Sequence, residues 1–144
     1  MKTLIYGAGA MGTILGAYIA KAGKQIDLVT RNKEHVEGLK KSGAQVVGKI
    51  TFTQPVNALL PSEMKDKYDI ILLMTKQMDN KKIVEGLLPF LDDEGVICTM
   101  QNGLPELSVS EVIGEDRTLG CAMSWGATFK GNGICELTSE ATRE

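Results

Sequence analysis

Histidine, cysteine, proline and aromatic residues are all scarce in this 144-residue chain: one His, three Cys, four Pro and 5% aromatics. The three cysteines, Cys98, Cys121 and Cys135, are too few and too far apart for a zinc pattern. Each sits in or beside an apolar, strand-like run, so they are expected to be buried, reduced thiols of a cytoplasmic protein. No run approaches the ~20 apolar residues that span a bilayer. The Thr3-Leu4-Ile5-Tyr6 segment that follows Met1-Lys2 is far shorter than the apolar core of a signal peptide. No sign of charge dominates: 16 Lys+Arg face 18 Asp+Glu, a net charge of -2. That gives no reason to expect a sequence-independent grip on nucleic acid. With 43% hydrophobic and 24% charged residues, the chain is neither disordered, collagenous nor a coiled coil. Its length suits one domain, residues 1–144.

Glycine, by contrast, is plentiful, at 16 residues, above the usual share of about 7%. Much of it punctuates an alternation of strand and helix. Leu4–Tyr6 reads as a short buried strand. From Ala10 to Ala22 the pattern turns helical, with Met11, Ile14, Leu15, Tyr18 and Ile19 on one face. Gly12 and Gly16 lie four apart, where another backbone can approach closely. Gln25–Thr30 is a second strand, and Asn32 caps a helix to about Ser42. Ala44–Val47 and Ile50–Phe52 suggest a small hairpin or crossover strands, and a loop with Pro55 and Pro61 runs to about residue 68. Tyr68–Met74 is nearly all apolar, the mark of a strand buried on both faces of a parallel sheet. A helix over Asp79–Leu88, a strand over Gly95–Met100, a helix from Pro105 to Ile113 and a strand over Thr118–Met123 follow. Trp125–Phe129 and Gly133–Leu137 flank a Lys130–Gly133 turn as a hairpin. The expected fold is α/β: a doubly wound, Rossmann-type, mostly parallel sheet with helices on both faces and a C-terminal β-hairpin.

Gly7-Ala8-Gly9-Ala10-Met11-Gly12 matches GxGxxG. A bare match is weak, but this one ends the first strand and opens the first helix, where the pattern has a mechanism. Gly7 permits the tight turn, Gly9 has no side chain to block a pyrophosphate, and Gly12 lets the helix approach the sheet. The helix N-terminus then favours the anion. Dinucleotide binding is the expectation, with Gly7, Ala8, Gly9, Ala10, Met11 and Gly12 as contacts.

An NAD-type site carries Asp or Glu at the end of the second strand. Here that end is Thr30-Arg31, and Asp27 lies too early, inside the strand. Arg31 would pair with a 2′-phosphate through charge-assisted bonds, with Lys33 as a second charge, so NADP(H) is expected. A solvated surface arginine is the alternative. Two later strand ends are also polar, Thr75-Lys76-Gln77 and Gln101-Asn102-Gly103. Lys76 suits a cofactor contact or an ordinary helix start. The Asn102 amide suits a nicotinamide ribose or a substrate carbonyl, or else Asn-Gly is simply a turn. Trp125 reads as packing rather than ligand stacking. His35, away from the strand ends, reads as a surface residue, and Lys130 as a solvated turn lysine.

Together, GAGAMG, Thr30-Arg31, Met74-Thr75-Lys76, Gln101-Asn102-Gly103 and the Gly120–Met123 segment with its following hairpin resemble the ketopantoate reductase family. The resemblance spans Lys2 to about Ser139. It implies NADPH-dependent reduction of 2-dehydropantoate to pantoate in pantothenate biosynthesis. It also implies roles for Gly7, Gly9 and Gly12 at the pyrophosphate, Arg31 at the 2′-phosphate and Lys76 on the cofactor. Asn102 would touch both nicotinamide ribose and substrate, and the backbone near Gly126-Ala127 the cofactor. The family's catalytic lysine and a substrate-orienting carboxylate belong to a helical C-terminal domain that these 144 residues do not include. No catalytic residue is therefore expected in this chain, and cofactor binding is expected without turnover. The implied partners are a small-molecule 2-keto acid, no nucleic acid and no membrane, with a homodimer as a candidate assembly. Three alternatives stand beside this reading: a dinucleotide-sensing regulatory module, the cofactor domain of another 2-keto or hydroxyacid dehydrogenase, and a fragment that oligomerises through an exposed Gly133–Leu137 edge.

Overall fold

In the first strand, β1 (Thr3–Tyr6), Leu4 and Ile5 are both fully buried but point to opposite faces, as the period of two requires. Leu4 joins one apolar cluster and Ile5 another. A sheet buried on both faces is thus built around the chain's first hydrophobic residues. The computed structural model describes residues 1–75, 80–101, 105–121 and 125–139.

Helix α1 (Ala10–Lys21) lies on β1 and on β2 (Ile26–Val29). Its two glycines make that approach possible. A Cβ on Gly12 would stand 3.1 Å from Ile5 Cγ2, and one on Gly16 would overlap Leu28 Cδ1 at 2.7 Å. Helix α2 (Lys33–Ser42) starts at Asn32, whose side chain accepts the His35 N–H at 3.1 Å. Three strands follow: β3 (Ala44–Gly48), β4 (Phe52–Gln54) and β5 (Asn57–Leu59). The rest of the chain alternates as β6 (Tyr68–Leu73), α3 (Asn80–Leu87), β7 (Leu91–Thr99), α4 (Glu106–Ile113) and β8 (Thr118–Gly120), and closes with β9 (Gly126–Gly131) and β10 (Ile134–Ser139).

Six strands form one sheet in the order β5-β2-β1-β6-β7-β8, parallel at every pairing. Helices α3 and α4 contribute Val84, Leu87 and Val109 to the cluster on one face. On the other, Leu15 and Ile19 of α1 pack against the Ile5–Leu28 cluster. This is the doubly wound α/β arrangement. The chain leaves β1 for β2 on one side and reaches β6 on the other, so the strand order reverses at β1. Among the described residues, no helix is long and apolar enough to cross a membrane.

A second sheet has the order β4-β3-β10-β9. The expected C-terminal hairpin β9–β10 is present, but β10 also pairs in parallel with β3. This corrects the expectation of an exposed Gly133–Leu137 edge: β10 is internal, and its residues Cys135 and Leu137 are buried among Ile14, Val36 and Val46. The pairing joins segments some ninety residues apart, which local periodicity does not reveal. The stretch between Pro55 and residue 68 is not all loop, because Asn57–Leu59 adds a parallel strand beside β2. Three residues between prolines are too short to show a period. Lys130 lies on β9 rather than in the turn and pairs with Glu136 at 3.2 Å. Among the cysteines, Cys135 is buried and its thiol is pushed up to about 11 by desolvation. Cys98 is half-buried, and Cys121 is exposed, against expectation, because β8 forms the border of the large sheet.

Candidate functional site

The turn after β1 is held from within. The Gly7 and Ala8 N–H groups both donate to the Val29 carbonyl at 2.9 Å, and the Gly9 N–H donates to Gly7 O at 2.8 Å. Gly7 adopts φ +106, and a Cβ there would stand 2.6 Å from the Thr75 backbone nitrogen. Glycine is therefore required twice over, by handedness and by the closeness of the chain leaving β6. Gly9 differs: no atom of the described residues lies within 4 Å of where its Cβ would be. Its bareness answers no demand of the protein's own packing.

The α1 ladder begins with the Thr13 N–H on Gly9 O at 3.0 Å. The N–H groups of Ala10, Met11 and Gly12 therefore have no partner within the helix, as in any first turn. With the helix dipole, they make that end attractive to an anion. Ala8 is buried with its N–H committed, so it closes the turn.

A cleft of about 940 Å³ opens at the reversal of strand order. The ends of β1 and β2 form one wall, with Tyr6, Gly7, Thr30 and Arg31. Pro61 and Met64 follow β5, Thr75 follows β6, and α3 supplies the other wall. Arg31 is exposed and makes no ion pair among the described residues. Lys33 is not among the residues lining the cleft. Asp27 is committed elsewhere, accepting from Asn57 Nδ2 at 2.6 Å and from the Tyr68 hydroxyl. Burial, reinforced by that carboxylate, pushes the Tyr68 phenol above its ordinary range. An acid inside β2 thus serves the sheet, and among the described residues no acid lines the cleft.

Lys76 and Asn102, with Gly103, lie outside the described residues. The groups on either side of them are joined. Gln101 Nε2 donates to the Thr75 carbonyl at 2.6 Å and to Asn80 Oδ1 at 3.0 Å, while Asn80 Nδ2 donates back to Gln101 Oε1 at 2.8 Å. This amide pair ties the end of β7 to the start of α3 and to the residue before Lys76. Ala127, on β9, is half-buried and packs against the same apolar cluster as Ala10. Trp125 packs there too, in keeping with a packing role.

His35 overturns its expectation as a surface residue. It is 1% exposed and sits between Thr13 and the Gly133 N–H, each at 2.9 Å. Burial lowers its basicity. The missing signal is tertiary: its partners lie 22 and 98 residues away. Lys82 and Gly86 on α3, both lining the cleft, escaped the sequence reading, although they are four apart and so share a helix face.

Comparison with known proteins gives a consistent answer. Residues 3–143 match the family described as ketopantoate reductase PanE/ApbA. The chain is 29% identical over 149 residues to the 2-dehydropantoate 2-reductase of Lactococcus lactis, covering 100% of this chain and 47% of that protein. A second such reductase, from Pyrococcus horikoshii, is 29% identical over 94% of this chain and 44% of its own length. Among solved structures, 2-dehydropantoate 2-reductase from Geobacter metallireducens superposes with a TM-score of 0.87 at 25% identity, over 97% of this chain and 47% of that one. D-mandelate dehydrogenase in a ternary structure with NADH and anilino(oxo)acetate gives 0.86 at 26%, over 96% and 46%. The chain spans about half the length of the relatives it matches. With nearly every residue inside the matched region, this chain belongs to the ketopantoate reductase PanE/ApbA family.

Proposed function

We propose that this chain is the nicotinamide-dinucleotide-binding part of an oxidoreductase that reduces 2-dehydropantoate, or a closely related 2-keto acid, with NADPH in the cytoplasm. The observation that carries the reading is Arg31, without an ion-pair partner among the described residues, in a cleft at the reversal of strand order whose described lining holds no acid, beside a glycine-rich turn.

The residues present fit such a cofactor. The empty space at the Gly9 Cβ position and the first-turn N–H groups of Ala10, Met11 and Gly12 suit a pyrophosphate. The cleft between β2 and α3 is of a size for the adenosine half. Arg31 would hold the 2′-phosphate, a planar guanidinium being well matched to it. Lys76 would contact the cofactor, Asn102 both the nicotinamide ribose and the substrate, and the backbone at Ala127 the nicotinamide end. When bound, the dinucleotide supplies the hydride. The described residues bind and orient it. The proton that completes reduction of a keto group is assigned to a lysine outside this chain, so the 144 residues bind NADPH and turn over 2-dehydropantoate negligibly.

Titration of the chain with NADPH and NADH tests this. NADPH binding at least about tenfold tighter, from one or two charge-assisted contacts, is the expected result. Equal affinities sink the NADPH assignment, and NADPH oxidation with 2-dehydropantoate at an ordinary enzymatic rate sinks the division of labour. A second reading, an NADH-using 2-hydroxyacid dehydrogenase, is favoured by the likeness to the NADH-bound mandelate enzyme. A preference for NADH in the same titration would select it.

A further inference from the structure

The α3 wall of the cleft carries two residues that the fold does not need where they are. Lys82 is exposed, lines the cleft together with Arg31, and makes no ion pair among the described residues. One turn later on the same face is Gly86. Glycine inside a helix is disfavoured relative to alanine, and close packing often explains its presence. Here it does not: no atom of the described residues lies within 4 Å of where a Gly86 Cβ would be, and the position faces the cleft. Gly12 and Gly16 of α1, by contrast, are crowded by Ile5 and Leu28. Beside Gly86 the wall is apolar, with Ile83, Leu87 and Phe90. A cation at the rim, an unexplained gap and an apolar surface match a flat heteroaromatic ring attached to a phosphorylated sugar.

We propose that α3 supplies half of the cofactor-selecting pocket: Lys82 is a second cation for the adenosine 2′-phosphate, and Gly86 keeps the wall open for the adenosine ring. This rests on the NADPH reading above and adds to it residues on a different element from Arg31. It also takes the second-cation role from Lys33, which does not line the cleft. The two residues do separable work. Lys82 distinguishes NADPH from NADH, which differ only at the 2′ position, whereas Gly86 admits the adenosine that both share.

Calorimetric titration of the wild-type chain and its variants with NADPH, NADH, 2′,5′-ADP and 5′-AMP tests the proposal, with thermal melting of each ligand-free protein alongside. Lys82→Gln is expected to weaken NADPH and 2′,5′-ADP about fivefold, the scale of one partly exposed ion contact, and to leave NADH and 5′-AMP unchanged. Lys81→Gln removes the same charge from the same helix but does not line the cleft, and should shift NADPH less than about twofold. Gly86→Leu is expected to weaken all four ligands at least about tenfold while the melting temperature holds or rises, because leucine is the better helix former. An unchanged NADPH-to-NADH ratio in Lys82→Gln, or an equal loss in Lys81→Gln, overturns the role of Lys82. Undiminished binding in Gly86→Leu overturns that of Gly86. If the wild-type chain itself binds NADPH and NADH alike, the NADPH reading falls and this one with it. If the wild type prefers NADPH and only the variant results fail, the α3 assignment alone is lost.

Discussion

His35 Nε2 lies 2.9 Å from the Thr13 hydroxyl, 22 residues earlier in the chain. The other ring nitrogen, Nδ1, accepts the Gly133 N–H at 2.9 Å, so the proton of the neutral imidazole sits on Nε2 and is donated to Thr13. The Thr13 hydroxyl in turn donates to the Ala8 carbonyl at 3.3 Å. One buried ring thereby links α2, the β9–β10 turn and the glycine-rich turn, with the Phe129 ring edge-on at 5.0 Å. Burial lowers its basicity below the ordinary value of 6.5. The unfolded chain then binds the proton more readily than the folded one, so the stabilisation is whole above pH 6.5 and is lost as pH falls below it. Protonation would also remove the acceptor for Gly133. His35→Ala should cost about 1–3 kcal/mol by leaving buried donors unpaired and should flatten the acid limb of stability. Urea denaturation between pH 5 and 8 measures both; an undiminished acid limb in the variant refutes the assignment.

Gly7 and Gly9 should respond oppositely to alanine. At Gly7, a Cβ meets the Thr75 backbone and the residue must keep φ +106. Gly7→Ala is therefore expected to lose more than about 1–2 kcal/mol, the handedness penalty alone. At Gly9 no described residue would meet a Cβ and φ is -81, so Gly9→Ala should melt within a few degrees of wild type yet bind NADPH at least about tenfold more weakly. Melting curves and titrations on the two variants decide; equal melting losses would contradict the division.

Arg31 makes no ion pair among the described residues and is exposed, so its removal should leave stability within about 0.5 kcal/mol. Arg31→Ala should nonetheless weaken NADPH by about tenfold or more while sparing NADH, and the loss should shrink as salt rises. NADPH affinity unchanged in the variant would return Arg31 to an ordinary surface role.

The Gln101–Asn80 amide pair should behave as one unit. Gln101→Ala leaves the buried Asn80 amide without its partner, and Asn80→Ala the half-buried Gln101 amide, each at about 1–3 kcal/mol. Their double variant should fall short of the sum by at least about 0.5 kcal/mol. A double-mutant cycle in urea gives the coupling; strict additivity would mean that the reciprocal bonds do not stabilise the folded chain.

Much of the large sheet was legible in the sequence because its cause is local. Apolar runs such as Ile70–Leu73 mark strands covered on both faces, the Asn32 cap and Gly43 mark the limits of α2, and the spacing of Gly7, Gly9 and Gly12 marks the turn from strand to helix. Arg31 was legible too, since the end of the second strand follows from the run before it. The second sheet was not. Its β3–β10 pairing joins distant segments, and neither strand carries a mark of its partner. The three-residue β5 was hidden for the related reason that its hydrogen bonds to β2 define it, not its composition.

The sequence by itself determined the α/β class, the place of the glycine-rich turn and the missing acid after β2. All of these follow from periodicity, steric freedom and residue charge within a few neighbours. Only the tertiary structure decided that His35 is a buried link, that Asp27 is spent on Tyr68 and Asn57, and that α3 brings Lys82 and Gly86 to the cleft with Arg31. Those outcomes depend on which surfaces pack together, and packing is settled by the burial of the whole core rather than by any local run of residues.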